Sequence, residues 1–493
     1  MFIFAFFQSY FVLNNRRKSY LLIKVLGVLT LSACSVGPVY QTPIFTTAPL
    51  WQTPLPQTSA QNSVTDLNNF WQQFDDPLVP ELIASAQLSN PTLEQALARI
   101  EQARATLKAS YAGAWPSLEA NVRVNRGNNL VSSSASSSQT SVATTSTGTL
   151  DAVWELDLFG ANRSTRVAAE ARLAARTAEW HDARISLAAE VASTIINWRT
   201  CNALLKFSGQ DVLSRQQTAA LTALKVQAGF TAPAEGALTE ASAADGRQRL
   251  VSQQAECDLN VKALVALTGL TEAELRVRLS NSERLPTPQQ IRVTSIPAQT
   301  LSQRPDIAAS ERELAAASSE INIAEANRYP RISLAGSIGI AGIRLEGANS
   351  DSNTWSFGPL INLPLFDAGR RRANVDAAQA RYHEAQANYR QRTLYAVREV
   401  EEALVRLNAA TQRVEDATTA SRDYQLFFKA SEERQKAGTA SLLELEEARR
   451  LTLAAQQGLI NLQKEQRLAW ISLYKALGGG WQADKDSQEI KTD

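Results

Sequence analysis

Few residues in this 493-residue chain have a type and spacing that could support catalysis. The two histidines, His181 and His383, lie far apart in Ala-rich segments with a helical pattern. The sequence shows no paired metal-ligand spacing, no Gly-rich phosphate loop and no nucleophile elbow. We therefore predict that the protein is not an enzyme and uses no cofactor or metal, so a partner must supply the energy for any active process.

The three cysteines are the remaining candidates for covalent chemistry, and Cys34 has the clearest context. Three basic residues at 16–18 precede an apolar run over residues 19–33, which ends in Leu-Ser-Ala directly before Cys34. This order is typical of a secretory signal peptide. Because a cysteine follows directly, the pattern predicts a bacterial lipobox, with residues 1–33 removed and a diacylglycerol on the Cys34 thiol. The alternative is an ordinary signal peptide followed by a chance cysteine.

Composition excludes two further kinds of protein. A formal net charge of +1, from 50 basic and 49 acidic residues, gives no electrostatic case for nucleic-acid binding. The mean hydropathy is −0.21, and beyond the signal peptide no segment approaches the roughly 18 apolar residues of a membrane-spanning helix. Residues 34–69, rich in Pro, Thr, Gln and Ser, are predicted to form an extended tether without a core of its own.

The rest of the chain contains an internal sequence repeat of two copies. Residues 90–116 align without a gap with residues 304–330, and LDLFGANR (156–163) matches LPLFDAGR (363–370). The period of about 210 residues is far longer than the roughly 20–50 residues of a solenoid repeat. We therefore predict two equivalent substructures, residues 70–281 and residues 297–480, followed by a tail over residues 481–493.

Each copy contains a pair of segments with strand periodicity, at about 117–158 and about 331–365. Apolar and polar residues alternate along all four segments; the apolar positions include Leu118, Val122, Leu150, Trp154, Ile332, Ile338, Trp355 and Phe357. Segments of about ten residues with this alternation are the signature of lipid-facing strands in a β-barrel. A soluble, half-buried hairpin would show the same alternation.

Each copy continues with a very long helical pattern. Residues 370–437 contain no Gly or Pro, which corresponds to about 100 Å of helix, and residues 161–228 are interrupted only by Gly209. Apolar residues follow a coiled-coil spacing, for example Val397, Val400, Leu404 and Leu407. We predict helical hairpins over about 161–268 and about 370–477, which turn at Gly229 and Gly438.

Four strands cannot close into a membrane barrel, because a spanning barrel needs about eight or more so that no edge is left in lipid. Several chains must therefore each donate four strands to one barrel.

The sequence as a whole resembles the TolC-like outer-membrane efflux channels, and within them the NodT-type lipoprotein branch. The resemblance extends from the lipobox to Gly480 and rests on five segments: VGPVYQTP (36–43), FWQQFDDPLVPEL (70–82), LDAVWELDLFGANR (150–163), LSQRPDI (301–307) and AGTASLLELEEARR (437–450).

The resemblance implies an α+β membrane protein, a homotrimer with four strands per protomer in an outer-membrane β-barrel. A long periplasmic α-helical barrel of coiled-coil hairpins would continue it. The implied function is a passive exit duct for drugs or other small molecules, with a periplasmic membrane-fusion adaptor and a proton-driven inner-membrane pump as partners. The alternatives are the duct of an ATP-driven type I protein secretion system and a lipid-anchored periplasmic coiled-coil scaffold. The resemblance also implies that the protein is lipid-anchored, lies in contact with the lipid of the outer membrane and extends into the periplasm.

The resemblance also implies a periplasmic gate at the second hairpin turn. Glu444 and Glu447 match two positions that the family usually fills with aspartate, and at a spacing of three both face one side of a helix. In a trimer each residue would form a ring of three carboxylates. The alternative is a solvated helix N-terminus, where the helix dipole favours acids.

The other two cysteines are predicted to form a disulfide. In an antiparallel hairpin, residues at the same level have numbers that sum to twice the position of the turn. Cys201 and Cys257 give a turn at residue 229, which is Gly229 of the predicted hairpin. The periplasm is oxidising, and Cys34 does not compete once it carries lipid. The alternative is two unrelated buried cysteines.

Acylation of Cys34 gives the first prediction. Radiolabelled palmitate is expected to enter the wild-type protein and not the Cys34→Ser variant, because the Cys34 thiol is the predicted point of attachment. Equal labelling of the two proteins would contradict the lipobox assignment. Assembly is expected to survive the substitution, because the barrel itself holds the protein in the membrane.

Overall fold

A computed structural model describes residues 36–43, 51–54, 67–74, 76–133, 137–280, 303–345 and 348–481. The predicted signal peptide with Cys34, and all of the predicted tail after Trp481, lie outside the described residues.

The described chain contains helices and one four-stranded sheet. A 3₁₀ helix, Leu67–Phe74, is followed by α1 (Leu78–Ser89), α2 (Pro91–Ala112), β1 (Ser117–Ser133), β2 (Ser137–Leu156), α3 (Ala161–Gln227), α4 (Pro233–Thr268) and α5 (Glu272–Ser280). Next come α6 (Pro305–Ala326), β3 (Arg331–Leu345), β4 (Ala348–Asn362), α7 (Arg370–Lys436) and α8 (Leu442–Ala476). The order helix, two strands, long helix, returning helix therefore occurs twice.

The corresponding helices have nearly equal lengths. The first helices, α2 and α6, have 22 residues each, and the long helices, α3 and α7, have 67 residues each. The returning helices α4 and α8 have 36 and 35 residues. Within the described residues, no helix combines the length and the apolar character that crossing a bilayer requires.

Glycines end the two long helices at the predicted turns. Gly229 has φ of +77° and Gly438 has φ of +75°, a left-handed conformation that costs other residues more. The residue after each glycine donates its backbone N–H to a carbonyl five residues back, Phe230 to Lys225 at 2.8 Å and Thr439 to Arg434 at 2.9 Å. These bonds satisfy carbonyls that the helix end would otherwise leave unpaired.

The chain divides into two compact units. The sheet unit comprises residues 1–43, 100–175 and 311–388, and the helical unit comprises residues 44–99, 176–310 and 389–493. The sheet is antiparallel throughout, in the order β1-β2-β3-β4.

The core of the helical unit forms around the aromatic residues of the FWQQFDDPLVPEL segment. Phe70 stacks on Tyr474 at 4.5 Å between ring centroids, and Trp71 meets the same tyrosine edge-on. Beside this core the fully buried Arg199 pairs with Asp76 at 3.0 Å. Asp76 also accepts the backbone N–H of Leu78, the first residue of α1.

The described parts of the tether pack against helices, which its composition did not predict. In the sheet unit, residues 36–43, here called the N-terminal strap, lie along α6. Asn322 donates to the Pro38 carbonyl at 3.2 Å, and the Tyr40 hydroxyl donates to Glu311 at 2.7 Å. Burial against this helix raises the pKa of Tyr40, with a further contribution from the Glu311 carboxylate. In the helical unit, the backbone N–H groups of residues 52 and 53 both donate to Glu401.

Candidate functional site

The sheet carries one face of apolar residues. The ladders align Ala120, Leu150, Ile338 and Trp355 in one row across all four strands. Since successive residues of a strand point to opposite faces, every second residue shares the face of this row. The same face includes Leu118, Val122, Val124, Trp154, Leu156, Ile332, Leu334, Ile340, Phe357 and Ile361. The alternation in the sequence therefore defines a single apolar face, not four separate ones.

Most of this apolar face is open in the described chain. The exposed fraction is 83% for Val122, 80% for Trp355 and 71% for Phe357. An exposed apolar surface of this extent normally marks contact with lipid or with another protein.

The opposite face is mainly polar. Its Asp151 carboxylate accepts hydrogen bonds from Asn121 at 2.9 Å, from Thr149 at 2.8 Å and from Ser337 at 2.6 Å. These residues come from three strands, so the polar groups support one another across the sheet. The sheet therefore has one apolar face and one polar face.

The two edges of the sheet are open. Strands β1 and β4 each pair with only one neighbour in the described chain, and they are 17 and 15 residues long. An open edge presents a row of unpaired backbone groups and is a template for pairing with another chain.

Aromatic residues collect where the strands meet the helices. Trp115 and Phe366 are largely exposed, and the Trp154 indole donates to the Ala114 carbonyl at 3.0 Å. Phe159 stacks on Tyr329 at 4.7 Å between ring centroids. Aromatic girdles of this kind lie at the membrane–water interfaces of transmembrane barrels.

The predicted gate residues make local contacts at the start of α8. Glu444 forms a capping box with Ser441, in which each side chain binds the other residue's backbone N–H, at 2.9 Å and 3.1 Å. Glu447 is exposed and pairs with Arg450 at 2.6 Å, and these hydrogen bonds lower the pKa of the Glu447 carboxyl. In the single chain, Glu444 thus has a structural role as a cap, while Glu447 is a charged surface carboxylate.

A buried ionic cluster near these residues was missed by the sequence analysis. Glu446 of α8 accepts from Ser242 of α4 at 2.8 Å, and it lies 3.5 Å from Arg215 of α3. Arg215 also pairs with Asp211 at 2.7 Å. Arg449 pairs with Glu446 and donates to Ser214 and Thr218 of α3, each at 3.1 Å. Burial lowers the pKa of the Arg449 guanidinium, against the opposing effect of the Glu446 carboxylate.

This cluster joins the two helical hairpins of one chain. The only signal in the sequence was the run LELEEARR, where Glu446 and Arg449 stand beside the residues that the family pattern singled out. Nothing in the run distinguishes buried from exposed charges, because their partners on α3 and α4 lie more than 200 residues away.

The structure brings Cys201 and Cys257 together at the predicted level of the first hairpin. Their sulfur atoms are 2.03 Å apart and their Cα atoms 5.4 Å apart. Cys201 lies on α3 and Cys257 on α4, and both side chains are buried. The bridge links α3 to α4, and along both helices it lies between the hairpin turn at Gly229 and the core of the helical unit.

Comparisons with known proteins place the chain among outer-membrane channels. The family model described as outer membrane efflux protein matches residues 82–270 and 296–479. The chain is 30% identical over 472 residues to the solvent efflux pump outer membrane protein SrpC of Pseudomonas putida, covering 94% of this chain and 99% of that protein. It is 29% identical over 461 residues to nodulation protein T of Rhizobium leguminosarum bv. trifolii, covering 92% and 96%.

The fold is also similar to that of a solved channel. The structure of the outer-membrane channel OprN matches with a TM-score of 0.80 and 27% sequence identity, covering 91% of this chain and all of the other. The similarity therefore extends over both the sheet unit and the helical unit.

The cysteine pair gives the second prediction. Mass spectrometry of unreduced, thiol-blocked protein is expected to show one crosslinked peptide pair containing Cys201 and Cys257. Replacing both by Ser is expected to lower the free energy of unfolding by up to about 4 kcal/mol, because the bridge closes a long loop. Quantitative alkylation of both thiols without reductant would contradict the bridge.

Proposed function

The chain belongs to the outer membrane efflux protein family, and we propose that it forms the outer-membrane exit duct of a tripartite efflux system. The observation that carries the proposal is the sheet, which is apolar on one face, polar on the other and open at both edges. In this proposal the apolar face contacts lipid and the polar face lines a water-filled lumen.

With open sheet edges, a single chain cannot pair all of its backbone hydrogen-bonding groups in a bilayer. Unpaired backbone N–H and C=O groups in hydrocarbon cost several kcal/mol each, so the edges of β1 and β4 must pair with other copies. The family resemblance supports three copies, which gives twelve strands. The aromatic residues at the strand–helix junction, including Trp115 and Phe366, then lie at the membrane–water interface.

We further propose that the two halves of the chain arose by internal duplication. Asn90 donates to the Leu267 carbonyl at 3.0 Å, and Arg304 donates to the Ala476 carbonyl at 2.9 Å. Asn90 and Arg304 are equivalent at the offset of 214 residues, and the two acceptors are equivalent at the offset of 209. Different side chains thus make the same bond to the end of each returning helix.

The glycines after the two returning helices support the same equivalence. Both have positive φ, +68° at Gly269 and +83° at Gly478. A Cβ on Gly269 would lie 2.9 Å from the Ser89 hydroxyl, and one on Gly478 would lie 2.2 Å from the Gln303 carbonyl. Ser89 and Gln303 are again equivalent at the offset of 214. Close approach at the same two places favours duplication over chance similarity.

The strap supports acylation of Cys34. Gly37, with φ of +116°, packs so closely on Asn322 that an added Cβ would lie 2.0 Å from its side-chain oxygen. Asn322 is one turn from the end of α6 at Ala326, and β3 begins at Arg331. The strap is thus held against the last turns of α6, close to the strand–helix junction, and this placement of Gly37 is compatible with a lipid anchor on Cys34, three residues earlier in the sequence.

For the transported substrate, small molecules are favoured over proteins. The relative SrpC is by its name part of a solvent efflux pump. A duct of this kind is passive, so a proton-driven inner-membrane pump and a periplasmic adaptor supply the energy and the connection. The alternative of an ATP-driven protein secretion system predicts an ATP-driven exporter encoded beside this chain, whereas our proposal predicts a proton-driven pump.

We propose that Glu444 and Glu447 line the periplasmic aperture of the trimer. The capping role of Glu444 and the pairing of Glu447 with Arg450 are compatible with this, because both residues lie at the start of α8, directly after the hairpin turn. Six carboxylates around a narrow opening would attract cations and repel one another.

The apolar face gives the third prediction. Trp355→Arg is expected to reduce heat-stable trimers in the outer-membrane fraction strongly, because an arginine near the middle of the bilayer costs about 2–4 kcal/mol in each protomer. Ser356→Arg is the matched control, since the next residue of β4 points to the polar face. Unboiled gel electrophoresis measures the trimer. Equal loss in both variants, or in neither, would contradict the assignment of faces.

The aperture gives the fourth prediction. Glu444→Gln combined with Glu447→Gln is expected to lower the ratio of cation to anion permeability in planar bilayers, because the rings lose their charge. Glutamine still completes a capping box, so α8 keeps its start. Ser441→Ala is the control that removes the cap and keeps both charges. If the charge variant conducts like wild type, or the control shifts selectivity equally, the two glutamates do not line the opening.

A further inference from the structure

A groove of about 480 Å³ lies in the sheet unit where α6 ends, β3 begins and α7 begins. It is rich in positive charge. Four arginines and one carboxylate are among the residues that line it, namely Arg331, Arg370, Arg371, Arg381 and Glu320.

The single carboxylate of the groove is already engaged. Glu320 pairs with Arg381 at 3.3 Å and also with Arg172 of α3. Arg371 lies 3.2 Å from Asp367 and donates to the Asn327 carbonyl at 2.5 Å. Two of the four lining arginines therefore have acidic partners.

The other two lining arginines have no carboxylate partner in the described chain. The Arg331 side chain donates to the Asn327 side chain at 2.5 Å, and the Arg370 side chain makes no hydrogen bond or ion pair with any described residue. The first turn of α7 contains three arginines and no acid. This is the positive end of the helix dipole, so the dipole adds to the positive potential instead of offsetting it. Without a ligand, these positive charges repel one another, whereas a bound anion would make their electrostatic interaction favourable.

Two observations give the direction in which the groove opens. Glu311 and Asn322 of α6 hold the N-terminal strap, while Glu320 of the same helix lines the groove. Nine residues separate Glu311 from Glu320, which is two and a half turns at 3.6 residues per turn, so strap and groove lie on opposite sides of α6. Arg331 precedes Ile332, a residue of the apolar face, and therefore belongs to the polar face of the sheet.

We propose that this groove binds the anionic group of small organic solutes, a carboxylate, sulfonate or phosphate, on their way through the duct. The guanidinium groups of Arg331 and Arg370 would bind the oxyanion, and charge-assisted bonds of this kind are the strong ones. That the bound solutes are the transported ones rests on the proposed function, because the polar face of the sheet lines a lumen only if the chain forms a trimeric duct. Three copies would then surround the lumen with a ring of such sites.

The test is direct binding of pyranine, a trisulfonated fluorescent dye, to the full-length protein in detergent at low salt, followed by fluorescence anisotropy. Arg331→Gln combined with Arg370→Gln is expected to raise the Kd about tenfold or more, because two charge-assisted partners are lost. Arg372→Gln is the matched control: the residue is exposed in the same turn of α7 and does not line the groove. Its Kd is expected to stay within about twofold of wild type.

An unchanged Kd in the double variant, or an equal rise in the control, would overturn the proposal. Displacement of the dye by phosphatidylglycerol added to the micelles would also overturn it, because the site would then serve a lipid headgroup. If the double variant fails to fold, Arg370→Gln alone serves, since this side chain has no hydrogen bond or ion pair to lose among the described residues. Binding in detergent does not require conduction. If the protein forms pores but does not bind the dye, the anion site is refuted and the proposed duct is unaffected. If it binds the dye but forms no pores, the proposed duct is refuted and the anion site is unaffected.

Discussion

Backbone hydrogen bonding in a medium without water is the constraint on which the rest of this structure depends. In hydrocarbon every N–H and C=O must find a partner in the protein, so a sheet that contacts lipid must close on itself. The register of the four strands collects the apolar residues on one face, as the row from Ala120 to Trp355 shows. The same register leaves the outer edges of β1 and β4 unpaired. In the proposed function, a chain with this sheet is one part of a larger barrel, and the other parts are further copies of the chain.

Away from the sheet, different forces hold the chain together. The largest core lies around Phe70 and Tyr474 in the helical unit, and it includes apolar residues of both long helices. The buried pair of Arg199 and Asp76 is expensive to desolvate, and hydrogen bonds to the Leu279 carbonyl and from the start of α1 offset part of that cost. Toward the hairpin turns, a disulfide and the ionic cluster around Glu446 replace the apolar core as links between helices. The ionic links are specific in geometry and contribute less in water than an apolar core, whereas the disulfide is covalent.

The sequence predicted what depends on local pattern. Absence of Gly and Pro over residues 370–437 indicated α7, and strict alternation indicated all four strands. Symmetry of an antiparallel hairpin about Gly229 placed Cys201 opposite Cys257, because this needs only a turn position and a helical rise. These features are encoded by residues that are near in sequence or related by simple geometry.

Contacts between distant polar residues could not be predicted in this way. The strap depends on Glu311 and Asn322, which lie about 270 residues or more from their partners. Glu446 and Arg449 look like surface charges in the sequence, yet Arg449 is buried and Glu446 is largely covered, while Glu444 completes a capping box. Whether a charge is buried depends on which helices pack together, and hydrophobic periodicity does not specify the polar partners. The arginine groove is of the same type, since its members come from α6, β3 and α7.

The most direct measurement of the central claim is the number of copies in the protein extracted from outer membranes in mild detergent. Native mass spectrometry is expected to give a mass of three mature chains, because three sheets of four strands make one closed barrel and leave no edge in lipid. A stable single copy, or any assembly with fewer than about eight strands in total, would contradict the account, because the edges of β1 and β4 would then remain open in the membrane.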